Sequence, residues 1–185
     1  AGDIDGDGAT TVLDIVSIVQ GILSGDYFDA CADSDGDGAI TVLDIVSIVQ
    51  IILSGDARSA DATSATMNIA GDTVSISGNG FIGAIQMTLS HGADFSIDLT
   101  NDAMVADYRT TGNSTTLIVV VPNSDEIFTA SGDFSVEETL VANGNGYVPL
   151  SMPTSFTLSA AYPNPFNPST SLDLDMPSEG YVSIH

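Results

Sequence analysis

One segment of 24 residues is written twice in this chain. DIDGDGATTVLDIVSIVQGILSGD runs from Asp3 to Asp26 and DSDGDGAITVLDIVSIVQIILSGD from Asp33 to Asp56, and the copies differ only at Ile4/Ser34, Thr10/Ile40 and Gly21/Ile51. Agreement this close marks a duplicated unit, so the fold must accommodate two loops with a carboxylate at every second position, each running into an apolar stretch.

The spacing sets the chemistry. A hard cation such as calcium takes six to eight oxygens, and a twelve-residue loop wraps it with carboxylates at positions 1, 3, 5 and 12, a backbone carbonyl at 7 and a further oxygen at 9. Asp3, Asp5, Asp7, Ala9, Thr11 and Asp14 fill those positions in the first loop, and Asp33, Asp35, Asp37, Ala39, Thr41 and Asp44 in the second. Gly8 and Gly38 supply the sharp turn. Magnesium favours tighter octahedral sites that retain several waters, so two calcium ions are the expected occupants. Position 12 is Asp in both loops, where most loops of this kind carry the longer Glu.

Charge points the same way. The chain carries 25 acidic residues against two basic ones, Arg58 and Arg109, for a formal charge of −23. Such a surface repels nucleic acid and anionic lipid and attracts cations. With 43% apolar residues and a mean hydropathy of +0.27, the chain is too apolar to be read as disordered. No apolar run reaches membrane-spanning length, so membrane insertion is not expected. A single cysteine, Cys31, forbids an internal disulfide and is read as a small buried apolar residue.

Each loop leads into a stretch with helical periodicity, expected to end at Gly25 and at Gly55. Ile15, Ile18, Val19 and Ile22, flanked by Val12, Val16 and Leu23, form one wide apolar arc, and Ile45, Ile48, Val49, Ile52, Val42, Val46 and Leu53 repeat it. Two short helices cannot cover so wide an arc between themselves, so a further surface should sit on it.

A calcium loop followed by a single helix, given twice with no helix ahead of either loop, resembles a dockerin module. The resemblance implies that loop positions 10 and 11 and the adjoining helix face bind a cohesin. Those positions are Val12, Leu13, Val42 and Leu43, of which Val12 and Val42 are expected to be partly core. Ile51, opposite Gly21 in the other copy, is the main asymmetry between the two faces.

Beyond residue 56 the character changes. Residues 57–65 read as a small, polar linker, and from residue 66 to 152 apolar residues alternate, as at Val74 and Ile76, at Ile85, Met87 and Leu89, and at Phe134 and Val136. LIVVV at 117–121 is apolar on both faces, as in a central strand. The fold class is therefore α+β and multidomain: a small all-α calcium module at 1–56 and an antiparallel β-sandwich of cohesin-like, jelly-roll or immunoglobulin-like type. GDTVSISG followed by GFIGAIQMTLSHGADFSI resembles the opening of a cohesin.

Residues 153–185 contain YPNPFNPST and then alternating Leu172, Leu174 and Met176. This resembles the start of the C-terminal sorting domain of type IX secretion and implies an extracellular protein.

No nucleophile, base or phosphate-binding motif emerges, and His91, followed by glycine, reads as a surface-loop residue. Together the resemblances imply a non-catalytic, calcium-binding, extracellular protein. The expected partners are copies of itself, helical module on the sandwich of the next subunit, giving a filament, tube or surface layer. A cohesin- or dockerin-bearing protein recruited by an adaptor, and the tail of a larger secreted hydrolase, are the alternatives.

Overall fold

Each repeat turns from loop to helix at a threonine. Thr11 and Thr41 hold extended backbone, and their hydroxyls accept the N–H of Leu13 and Leu43 at 3.2 and 3.1 Å. Three residues on, Asp14 and Asp44 return a carboxylate to the threonine N–H, 2.7 Å in both copies, completing a reciprocal capping box. Helix α1 (Val12–Ser24) and helix α2 (Val42–Ile52) follow. Gly25 closes α1 in the left-handed conformation at φ 71°. The second helix stops sooner than its sequence promised. Leu53 is its cap at φ −85°, and Ser54 satisfies the Ile51 carbonyl with both its N–H (3.3 Å) and its hydroxyl (2.7 Å). Gly55 lies outside the described residues.

This computed structural model describes residues 2–25, 31–54 and 59–152, and the backbone of Thr157–Leu158 and Leu174–Asp175. The strands are β1 (Ala65–Ala70), β2 (Thr73–Gly78), β3 (Ala84–His91), β4 (Ser96–Leu99), β5 (Ala103–Thr111), β6 (Ser114–Pro122), β7 (Glu126–Ser131), β8 (Phe134–Asn143), β9 (Gly146–Tyr147) and β10 (Leu150–Ser151). They form two five-stranded sheets, ordered β10-β1-β2-β7-β4 and β5-β6-β3-β8-β9, antiparallel throughout except where β10 runs parallel to β1. A separate antiparallel pair, β11 (Thr157–Leu158) with β12 (Leu174–Asp175), is all that is described of the segment resembling a sorting domain.

The sheets face each other across a core that includes Met67, Val74 and Ile76 from one and Ile85, Met87, Leu89, Leu117 and Val119 from the other. The second sheet is apolar on its outer side as well. Along β6, Leu117 and Val119 point into the sandwich, whereas Ile118 and Val120 join a second cluster made with the helices. That is why LIVVV has no polar face: β6 is covered on both sides. Helix α1 lies over β5 and β6, and α2 over β3 and β8, giving three layers of helix, sheet and sheet.

The 57–65 segment is not a loose spacer along its described part. Phe81 N–H donates to the Ala60 carbonyl (2.8 Å), Ala62 N–H to the Phe81 carbonyl (3.0 Å) and Asn143 Nδ2 to the Ala62 carbonyl (2.7 Å), so residues 60–62 are already sewn into the sandwich.

Candidate metal centres and the apolar face beside them

In the first loop the aspartates turn the backbone around themselves. Asp3 Oδ2 accepts the Gly8 N–H at 3.0 Å, Asp5 Oδ1 that of Asp7 at 3.1 Å and Asp7 Oδ1 that of Ala9 at 2.8 Å. Gly6 and Gly8 take the positive φ values of 76° and 93° that this tight course demands. The second loop repeats it: Asp33 Oδ2 accepts from Gly38 at 3.0 Å, Asp35 Oδ1 from Asp37 at 3.1 Å and Asp37 Oδ1 from Ala39 at 2.8 Å.

The result is two knots of like charge. Asp3, Asp5 and Asp7 each present an oxygen within 4.8 Å of the others, and so do Asp33, Asp35 and Asp37. Asp3 Oδ1 is buried and has no hydrogen-bond partner. A buried carboxylate oxygen without a donor, among further carboxylates, is costly unless a cation neutralises it. The donors are all hard oxygens, which fits calcium or magnesium better than a transition metal.

Asp14 and Asp44 stand apart from these knots. Both are fully buried. Asp14 Oδ1 accepts the N–H of Ile4 (2.6 Å) and Asp5 (3.2 Å), while its Oδ2 takes that of Thr11. Asp44 does the same for Ser34 (2.7 Å), Asp35 (3.3 Å) and Thr41. They clasp the two ends of each loop together, and the hydroxyls of Thr11 and Thr41 are engaged in capping the helices. Ala9 and Ala39 sit exposed on the loop rims.

Electrostatics distinguish the copies. Burial opposes the charge on Asp14, but the N–H groups of Thr11, Ile4 and Asp5 more than offset it and hold its carboxyl below the ordinary carboxylate value. Asp35 is pushed upward, first by desolvation and further by the charges of Asp44, Asp37 and Asp33, against the single N–H of Asp37.

The residues expected to meet a partner separate into two environments. Val12 is 38% exposed, Leu13 61% and Ile51 48%, whereas Val42 is fully buried and Leu43 half-buried. Val42 therefore belongs to the core and is corrected as a docking residue. Ile51 sits at the first loop, its Cδ1 3.6 Å from where a side chain on Gly2 would begin.

The apolar arc of the helices is not left for another subunit. Ile15, Ile18, Val19, Val42, Ile45, Val46, Ile48 and Val49 are at most 2% exposed, packed with Ala84, Ile118, Val120 and Ala142 of the chain's own sheet. The expected arrangement, in which this face meets the sandwich of the next subunit, is thus pre-empted within one chain. Each buried Ile or Val contributes about 1.5–3 kcal/mol, which outweighs the intrinsic stability of such short helices. The fit is close. A side chain on Gly83 would begin 2.9 Å from Val46 Cγ2, and one on Gly144 would collide with Gln50 Nε2.

Two further readings change. Cys31 is exposed rather than buried. His91 is buried at the end of β3, stacked on Phe95 at 4.1 Å, its Nδ1 at 2.9 Å from the Gly92 carbonyl and its Nε2 at 2.8 Å from Thr115 Oγ1. Thr115 is itself fully buried, closed to any substrate. The alternation that makes β3 a strand runs through Ser90 to His91, and carrying it one residue further would have found this histidine.

No family model matches the chain, and no curated protein does. Among solved structures it is similar to a non-cellulosomal cohesin from the hyperthermophilic archaeon Archaeoglobus fulgidus, with 12% identity and a TM-score of 0.35 over 51% of this chain and 86% of that one. At that level the likeness assigns no residue of this chain a role.

Proposed function

We propose that the chain is a non-catalytic, extracellular, calcium-braced module that assembles with copies of itself. The observation that carries the calcium reading is the pair of three-carboxylate knots, one holding a buried oxygen with no donor, in a chain with 25 acidic residues and two basic ones. Asp3, Asp5 and Asp7, and Asp33, Asp35 and Asp37, would hold the ions, with the Ala9 and Ala39 carbonyls, Thr11, Thr41, Asp14 and Asp44 completing the sets that the loop spacing implies. When bound, the cation supplies the countercharge that lets the carboxylates converge. The chain's own residues do the rest: Asp14 and Asp44 hold the loop ends together, and Thr11 and Thr41 start the helices that cover the outer sheet.

Extracellular placement is supported by the resemblance of residues 156–185 to a secretion sorting domain. Assembly rests on the resemblance of the two parts of the chain to modules that bind each other; the helix face itself already packs on the chain's own sheet, so a contact between copies falls on what that packing leaves exposed. The exposure of Val12, Leu13 and Ile51 favours a second reading, an adaptor that offers the first-loop end to a different protein.

Isothermal titration of the full chain with calcium, followed by light scattering and negative-stain microscopy in calcium and in chelator, tests the proposal. Two bound equivalents and large particles that dissolve on chelation are expected. No calcium uptake would refute the metal reading; a calcium-loaded monomer at every concentration would refute self-assembly and leave the adaptor.

A further inference from the structure

The edges of the sandwich are unequal. Strands β10 and β9 have two residues each and β4 has four, whereas β5 runs for nine and, among the described residues, pairs only with β6. A long strand open on one side is a template for another strand. Helix α1 does not close this edge: Gln20, Leu23 and Ser24 stand across a groove of about 330 Å³ from Asp107, Tyr108 and Arg109.

Which backbone groups are free follows from the neighbouring strand. Val121 N–H donates to the Gly83 carbonyl and His91 N–H to the Asn113 carbonyl, so the odd positions along β6 serve β3 and the even ones serve β5. Those even positions lie opposite Val105, Asp107, Arg109 and Thr111. Ala106, Tyr108 and Thr110 therefore turn their backbone N–H and C=O groups outward. At Tyr108 the outward N–H is held by the carboxylate of Asp107, at 2.8 Å.

Charge says what fits there. Arg109 is the only lysine or arginine among the described residues; it is exposed and makes no ion pair with any of them. Asp107 stands two residues before it, on the same face of the strand. An antiparallel copy of β5 centred on Tyr108 sets each Asp107 against Arg109 of the other copy. It does so at non-hydrogen-bonded positions, where side chains approach most closely. Centring on Asp107 would oppose two carboxylates, and centring on Arg109 two guanidinium groups.

We propose that β5 pairs antiparallel with β5 of a second copy about a twofold axis at Tyr108, so that five strands from each copy form one continuous sheet. This rests on the self-assembly reading above and gives it a contact outside the helix–sheet packing. Ala106 bonds Thr110 of the second copy, and Tyr108 bonds its own counterpart. The Asp107 carboxylate passes the Tyr108 N–H to the incoming carbonyl and takes the guanidinium in exchange. Tyr108, 43% exposed in the single chain, meets the second Tyr108. Exposed ion pairs add little to affinity, so they select the register while the backbone bonds and the tyrosines supply the attraction. The contact is isologous and closes a pair; growth beyond it uses a second surface.

Sedimentation of the full chain in calcium over a concentration series tests this, at about 0.15 M salt, where a Debye length of about 8 Å screens the overall repulsion. The unaltered chain should form dimers or multiples of them. Arg109→Asp and Asp107→Arg should each weaken association by about tenfold or more, although the second lowers the net negative charge. Both changes in one chain should restore it. The two single variants, each monomeric alone, should pair when mixed, because one then opposes two arginines to two aspartates. Far-UV circular dichroism checks that all the variants are folded.

Association that both single reversals leave unchanged, or that the folded double variant fails to recover, would overturn the β5 contact while leaving self-assembly standing. An unaltered chain that stays monomeric at every concentration would overturn both.

Discussion

The two repeats agree at 21 of 24 positions, yet the structure treats them differently. Helix α2 buries five apolar side chains, Val42, Ile45, Val46, Ile48 and Val49, and α1 three, Ile15, Ile18 and Val19. Val42 is sealed where Val12 is 38% exposed, and Ile51 protrudes where its counterpart Gly21 is buried. The cause is position on the sheet. Helix α2 lies over β3 and β8, where Gly83 and Gly144 let it approach closely, while α1 lies over β5, the edge strand. Duplication copies local structure faithfully; it does not copy the surface that each copy meets.

The largest expected effect tests the proposed calcium ions. Chelation should abolish most of the helical circular dichroism while the sandwich, which has its own core, keeps its strands. Of the single-loop variants, Asp35→Ala should cost more than Asp5→Ala, because the second loop anchors the more deeply buried helix. Equal losses of helix signal at saturating calcium would mean that the pair folds as one indivisible unit. Next in size is Val42→Asp, which buries an uncompensated charge and should cost about 3 kcal/mol or more in urea unfolding. The same change at Val12 should cost less than about 1 kcal/mol. Similar midpoints for the two variants would contradict the asymmetry.

How much of this was legible in the sequence depends on the range of the interaction. The course of the loops and the Gly25 stop are set by neighbours within a dozen residues, and the aspartate spacing and the glycine marked them; Thr11 and Thr41 were expected only as loop oxygens, and the capping boxes they form with Asp14 and Asp44 went unread. The period of two marked β2, β3 and β8. Docking of the helices on the outer sheet was not read, although its trace is there: Ile118 and Val120 on β6, with Leu140 and Ala142 on β8, make a second apolar face that a two-layer sandwich would not need. Val42 and Val12 were beyond reach, since TTVLDIVSIVQ and ITVLDIVSIVQ offer no local difference that predicts which valine the sheet will cover.

The glycine recess sharpens the same contrast. Gly83→Val should push against Val46 and cost about 1–3 kcal/mol, raising the accessibility of α2 to hydrogen exchange before that of α1. Smaller still is position 2 of the loops. Ile4 packs against the helix–sheet cluster, whereas Ser34 leaves a buried hydroxyl with no partner. Ser34→Ala should therefore raise stability, by about 1 kcal/mol, where Ile4→Ala lowers it; thermal unfolding of the two variants reads the opposite signs directly.

The smallest effect separates the loops by pH in calcium-free protein. Asp14 titrates below its unfolded value, so its contribution to stability is present above that value and is lost as pH falls through the lowered folded one. Asp35 titrates above its unfolded value, so its contribution is present at low pH and is lost as pH rises through the raised folded one. Acidifying the chelated chain from neutrality should first protonate Asp35 and relieve the crowding of Asp33, Asp37 and Asp44, firming the second loop, and only then release the clasp that Asp14 makes on Ile4, Asp5 and Thr11. Amide exchange at Ser34, which donates to Asp44, should slow at the first step, and at Ile4, which donates to Asp14, should quicken at the second. Both changes falling at one pH would show that the two loops share a single titration, and that the sheet's unequal hold on the helices does not reach the carboxylates.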